Sequence, residues 1–301
     1  MSDIFDLTRC TLCPKECGVD RTNGKVGFCG ANDKIKIARA SLHQWEEPCL
    51  SGANGSGTVF FSGCNMTCVY CQNGEISHKN KGIEITKERL CDIFFELKEK
   101  GAHNINLVTA GHFLPIVLDA VSKAKEKNID IPFVYNSSGY EKVESLERAD
   151  GLIDIYLPDF KYIDKTQASR YSKAPDYPEV AMKAIDEMVR QRPKCIFDDN
   201  GIMCSGVIVR HLLLPNGLTD SKKAIKYLYE KYGDNIYISI MSQYTPFGNL
   251  DNFPELLNKV KSSDYEKLID YAVKIGITNA FIQEGEAASE SFIPDFSGQG
   301  V

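Results

Sequence analysis

From Thr58 onward the chain alternates short apolar runs with amphipathic stretches, and this rhythm constrains the fold more than any other feature. Thr58-Val59-Phe60-Phe61 reads as a strand, residues 86–100 carry helical spacing at Leu90, Ile93, Phe94 and Leu97, and residues 104–108 read as the next strand. The alternation continues with helices over 114–127, 141–149, 177–192, 221–232 and 263–275, and strands over 131–135, 152–157, 206–213, 236–240 and 279–282. Such a run predicts a parallel sheet with right-handed crossovers, either doubly wound or closed into a barrel. In both, ligands sit at the carboxyl ends of the strands.

With 43% hydrophobic and 25% charged residues, the 301-residue chain has the composition of an ordinary globular protein with a substantial core. Its net charge is −6, and lysines alternate with acids, as in Glu96-Leu97-Lys98-Glu99-Lys100. Nucleic acid is therefore not an expected partner. No run approaches the roughly 18 consecutive apolar residues of a membrane span, and Met1–Asp6 lacks the charged and apolar regions of an export signal, so a cytoplasmic location without a membrane partner is expected.

Eleven cysteines are the most informative residues, and seven fall in two groups. In a reducing compartment, clustered thiols bind metal or do redox chemistry more often than they pair. Phe61-Ser62-Gly63-Cys64-Asn65-Met66-Thr67-Cys68-Val69-Tyr70-Cys71-Gln72-Asn73 places three thiols at Cys-x3-Cys-x2-Cys spacing just after the first strand. Four thiolates would close a zinc site or saturate a cluster; three leave one iron open to another molecule.

This motif resembles the signature of the radical S-adenosylmethionine (SAM) superfamily. The resemblance implies a partial (β/α)6 TIM-like barrel and a [4Fe–4S] cluster on Cys64, Cys68 and Cys71. It also implies reductive cleavage of SAM to a 5′-deoxyadenosyl radical that abstracts a substrate hydrogen, with Tyr70 against the adenine. Cys71-Gln72-Asn73, His43–Pro48, Asn106–Thr109, Leu157–Lys161 and Arg210–Pro215 look most like the pyruvate formate-lyase activating enzymes, especially relatives with extra N-terminal cysteines. That closer likeness implies a protein or peptide substrate, such as a glycyl radical enzyme, and a reduced flavodoxin or ferredoxin-type electron donor. A small-molecule substrate and a non-catalytic iron–sulfur or zinc protein are the alternatives.

The family's Gly-Gly-Glu after the second strand is replaced here by Thr109-Ala110-Gly111-His112. Thr109 and His112 are candidates to replace its contacts to SAM, although His112 as a surface or core histidine stands equally open. Asn136, Ser137, Asp159 and Lys161 end strands on the expected cofactor face. By resemblance Lys161 meets the SAM carboxylate and Asp159 organises the site, around a monovalent cation in one reading; the alternative is a structural ion pair. Arg210 and Gln243 are further candidates for the methionine moiety or the ribose.

Cys10, Cys13, Cys17 and Cys29 supply four thiols within twenty residues, dense enough with Gly and Pro turns to wrap one metal. Tetrahedral zinc and a second [4Fe–4S] cluster both remain open. The expected division is a cysteine-rich metal-binding extension over 1–50 and the barrel over 51–301. Cys195 and Cys204 flank Asp198-Asp199-Asn200-Gly201, a hairpin signal that would make them diagonal neighbours. For the tail from Phe292 to Gly298, covering the site and hanging free are both open.

Overall fold

The structure is a computed structural model that describes residues 3–283 and 294–301. Its strands are β1 (Ile35–His43), β2 (Ser56–Phe61), β3 (Ile83–Ile85), β4 (Ile105–Val108), β5 (Phe133–Ser137), β6 (Ile155–Pro158), β7 (Ile196–Phe197), β8 (Met203–Leu212), β9 (Tyr237–Met241) and β10 (Ala280–Ile282). The helices are α1 (Pro48–Ser51), α2 (Gly74–Ser77), α3 (Lys87–Glu99), α4 (Leu114–Glu126), α5 (Val143–Glu147), α6 (Lys165–Ser172), α7 (Tyr177–Gln191), α8 (Leu218–Tyr232) and α9 (Ser262–Ile275).

One sheet runs in the order β10-β9-β8-β6-β5-β4-β2-β1-β3. From β2 to β10 every neighbouring pair is parallel. Each crossover therefore moves one place in the same direction, and a constant right hand puts every crossover helix on one face. A doubly wound sheet would reverse its order at a switch point. This one does not, and its six strand–helix units followed by β10 form the partial barrel that the family resemblance implies.

Side-chain alternation separates the two faces. Val59, Phe61, Ile105, Leu107, Phe133, Tyr135, Tyr156, Val207, Val209, Ile238 and Ile240 enter one large core with the helix residues Leu90, Phe94, Val117 and Ile225. The intervening Phe60, Val108, Asn136, Arg210 and Met241 line a cavity on the concave side instead. Lower on that concave side Val134, Ile155, Leu157 and Ile208 pack against Cys49 and Leu50 of α1, which closes the amino-terminal end of the barrel. The Asn104 amide fixes this plug by donating to the Leu50 carbonyl at 2.8 Å.

Local signals set the helix limits. The Thr86 hydroxyl accepts from the Arg89 amide, and Asp164 accepts from the amides of Thr166 and Gln167. Gly276, in the left-handed region, ends α9. β7 and β8 form the hairpin expected around Asp198–Gly201, with Ile196 opposite Ser205 and Phe197 opposite Met203.

The sequence rhythm was read only from Thr58, so β1 was not foreseen. Residues 35–43 lie within the expected 1–50 extension, yet pair antiparallel with β2 and join the sheet. Phe292 and Ile293 of the tail lie outside the described residues. Its described part is anchored: Gly298 donates to the Ala38 carbonyl, Ala40 donates to that of Gln299, and Phe296 packs edge-on against Phe60. Among the described residues no helix is long and apolar enough to cross a membrane.

Candidate active site

The loop after β2 carries the three-thiol motif, and backbone hydrogen bonds from distant elements shape it. Ser62 donates to Lys36 of β1, Gly63 to Ile76 of α2, Cys64 to Cys29, and Val69 to Tyr171 of α6. The Asn65 amide donates to the Tyr140 carbonyl at 2.7 Å. The Cys68 sulfur accepts from Ser172 at 3.0 Å, whose hydroxyl joins those of Tyr162 and Tyr70 in a buried chain.

Cys68 is buried, and Cys64 and Cys71 are half-buried. Burial pushes the Cys64 thiol well up; it also raises that of Cys68, where Lys161 pulls the other way. Thiols so placed become stable thiolates only beside a metal or a comparable cation. The donor chemistry of the loop therefore fits an iron–sulfur cluster. Among the described residues no three His, Cys, Asp or Glu side chains are gathered tightly enough to hold a single ion.

Cys68 and Cys71 face a cavity of about 250 Å³ whose opposite wall is built from strand ends. There Asp159 pairs with Lys161 at 2.5 Å and with Arg210 at 2.9 Å. Arg210 also reaches Glu46 at 3.3 Å and donates to the Asn136 side chain at 2.6 Å. Burial opposes the charge on Asp159, but Lys161 and Arg210 overcome it and hold its carboxyl below the usual range. Burial likewise opposes the Lys161 ammonium, and Asp159 more than offsets that. Glu46 and Glu47 are pushed up by burial, with Arg210 only partly compensating. Beneath this wall, Glu47 Oε2 and both amide atoms of Asn106 are buried without a hydrogen-bond partner among the described residues.

Tyr70, Asn136, Asp159, Lys161, Arg210 and Gln243 thus share one cavity with Cys68 and Cys71. Thr109, Ser137 and His112 do not line it. Thr109 adopts φ 60°, unusual for a β-branched residue, and turns the chain out of β4 as its amide donates to the Asn136 carbonyl. The Ser137 hydroxyl accepts from the Gly139 amide. Of the two readings open for His112, its place fits the core one: the imidazole is buried and donates from Nε2 to the Ser62 carbonyl at 2.7 Å, and burial lowers its pKa to about 4. Residues not singled out from the sequence include Glu46, Trp45 and Gln72, all on the cavity wall. The signal for Glu46 was its place in His43–Pro48, a segment that carries the family resemblance without marking any one residue of it as a site.

Of the N-terminal cysteines, Cys10, Cys13 and Cys29 are buried and Cys17 is exposed. Burial pushes the Cys13 thiol up to about 12 and raises that of Cys29. Gly18 and Gly30, each following a cysteine, take left-handed conformations that turn the chain back on itself. A Cβ added at Gly27 would lie 3.2 Å from the Cys17 sulfur and 3.6 Å from that of Cys29, so these two thiols flank one glycine. A preformed ion site is not seen there among the described residues.

Residues 58–198 match the family model described as the Radical SAM superfamily. Over these residues the chain is similar to a radical SAM domain. The match begins in β2, spans the three-thiol loop and reaches Asp159 and Lys161, while Glu46 and Arg210 of the facing wall lie outside it. The radical SAM family binds a [4Fe–4S] cluster and SAM, and its members are enzymes. An uncharacterized protein of Methanocaldococcus jannaschii is 28% identical over 275 residues, covering 89% of this chain and 75% of that protein. Among solved structures, a domain of pyruvate-formate lyase-activating enzyme from Bacteroides vulgatus is 12% identical with a TM-score of 0.42, covering 57% of this chain and 91% of that one. The FeFe-hydrogenase maturase of Carboxydothermus hydrogenoformans is 14% identical with a TM-score of 0.49, covering 79% of this chain and 55% of that one.

Proposed function

We propose that this radical SAM enzyme abstracts hydrogen from a protein or peptide, with a glycyl radical enzyme as one such substrate. Cys64, Cys68 and Cys71 hold the [4Fe–4S] cluster, and the cavity beside them takes SAM. Tyr70, Asn136, Lys161, Arg210 and Gln243 are the residues available to hold it. Asp159 keeps Lys161 and Arg210 charged and oriented toward the cavity. Bound there, the cluster and SAM supply the 5′-deoxyadenosyl radical.

The observation that carries this reading is the single cavity shared by Cys68, Cys71 and the strand-end residues Asn136, Asp159, Lys161 and Arg210. Its size supports the substrate class. About 250 Å³ lies below the usual 300–1,000 Å³ of ligand pockets. One cofactor fills it, so the second reactant is presented at the mouth, where Trp45 is 60% exposed. A polypeptide can offer one residue in that way.

Two further assignments belong to the proposal. Cys10, Cys13, Cys17 and Cys29 hold one metal, zinc and a second cluster being equally compatible with four thiols. A reduced flavodoxin or ferredoxin-type protein supplies the electron. The test is anaerobic reconstitution with iron and sulfide, reduction and addition of SAM, with 5′-deoxyadenosine measured beside a Cys64→Ala/Cys68→Ala/Cys71→Ala variant. Product from the unaltered protein alone supports the reading. A loaded cluster with neither SAM binding nor product sinks it and favours a metal or electron carrier.

A further inference from the structure

Arg21 is the only arginine among the largest fully buried side chains of the described residues, 1% exposed, and it lies between the two cysteine groups. Its Nη1 donates to the His112 carbonyl at 2.7 Å, and its Nη2 donates to the Asn32 carbonyl at 2.5 Å. The Cys10 sulfur lies 3.8 Å from Nη1. His112, held in this way, donates to the Ser62 carbonyl, two residues before Cys64. A second route is direct, because the Cys64 amide donates to the Cys29 carbonyl at 3.2 Å. Gly63 makes that approach feasible. It has φ 90°, and a Cβ there would stand 2.4 Å from the Cys29 carbonyl oxygen.

We propose that the N-terminal cysteine module is a clasp that sets the conformation of the cluster loop, with Arg21 as its positioning residue. The inference rests on the reading that Cys64, Cys68 and Cys71 carry the cluster, and it gives the other four cysteines a task at that same site. A buried guanidinium bonded to two carbonyls is costly to disturb, because its charge would be left without its hydrogen bonds. Through His112 it fixes the Ser62 carbonyl, while the Cys29 carbonyl fixes the Cys64 amide. The turn that presents Cys64 is thereby held from two sides by residues outside the loop. A metal on Cys10, Cys13, Cys17 and Cys29 stiffens the segment that contains Cys29 and Arg21. Backbone and outer hydrogen bonds of this kind orient ligands and tune iron–sulfur centres.

The experiment compares the full-length protein with Arg21→Ala, Arg21→Lys, Gly63→Ala and Cys17→Ser. Hydrogen exchange is followed over residues 60–68, with β5 and β8 as internal references. Iron per chain and the electron paramagnetic resonance spectrum of the reduced cluster are measured after anaerobic reconstitution. In Arg21→Ala and Gly63→Ala, exchange over 62–65 becomes about tenfold faster, the change that matches the loss of one hydrogen bond. Iron loading falls with it, while β5 and β8 keep their protection. Arg21→Lys, which retains the charge and one donor direction, recovers part of both. Cys17→Ser, at the exposed thiol, shifts the spectrum of the cluster on Cys64, Cys68 and Cys71. Folded variants with unaltered exchange, loading and spectrum overturn the clasp. Should Arg21→Ala fail to fold, Gly63→Ala decides. If the unaltered protein itself loads no cluster, the enzymatic reading fails, and the exchange comparison still decides on the clasp.

Discussion

The two walls of the cavity are built by opposite means. The wall of Asp159, Lys161, Arg210, Glu46 and Asn136 is held by charges that satisfy one another across the ends of β5, β6 and β8. The cysteine loop opposite has little charge of its own and takes its shape from bonds to β1, α2, α6, Tyr140 and the N-terminal module. A network of paired charges is rigid and intolerant of losing one member. A loop shaped by outside contacts is tunable, because each contact contributes little and can be changed alone.

Arg210→Ala is the harshest way to break that contrast. It leaves Asp159 and Glu46 buried without their shared cation, and a loss of about 3–5 kcal/mol is expected in urea unfolding. A loss below about 1 kcal/mol would mean that the charges do not hold that wall. His211 comes next, since it supports the same wall from behind, bonding the Phe160 carbonyl at 2.6 Å and Ser221 at 2.8 Å. Burial lowers its pKa to about 4, so it is neutral in the fold. Below about 6.5 the unfolded chain takes up the proton first, and stability falls as pH drops from there to about 4, by up to about 3 kcal/mol. Unfolding midpoints measured from pH 7 to 4 should decline less steeply in His211→Gln.

On the loop side the effects are smaller. Asn65→Ala leaves the buried Tyr140 carbonyl without its donor and should cost about 1–3 kcal/mol, read in the same unfolding assay. An Asn65→Ala loss equal to that of Arg210→Ala would erase the distinction between the walls. Lys98→Ala, at the partly exposed pair with Asp130, should change stability by less than about 1 kcal/mol and sets the baseline.

The parts legible in the sequence were those with a local cause. Strand and helix order from Thr58 and the Asp198–Gly201 turn each follow from neighbouring residues. The cavity residues Asn136, Asp159, Lys161 and Arg210 were legible because polar side chains interrupt apolar runs at strand ends. β1 was hidden because Lys36, Arg39 and Ser41 break up its apolar residues, and only its partner β2 explains the pairing. His112 could not be assigned, since a histidine after a strand reads alike whether it faces a ligand or a carbonyl. The task of Arg21 depends on residues 91 positions away, which no periodicity reports.

The α1 plug bears on the kinetics of the proposed reaction. With Cys49 and Leu50 filling the amino-terminal end of the barrel, traffic through the cavity passes the rim beside Trp45. Whatever occupies the deep end by Lys161 and Arg210 must enter before the reactant at the rim and leave after it. Compulsory-order binding, with the rim reactant as a dead-end inhibitor when it arrives first, is the steady-state pattern that a barrel stoppered at one end imposes.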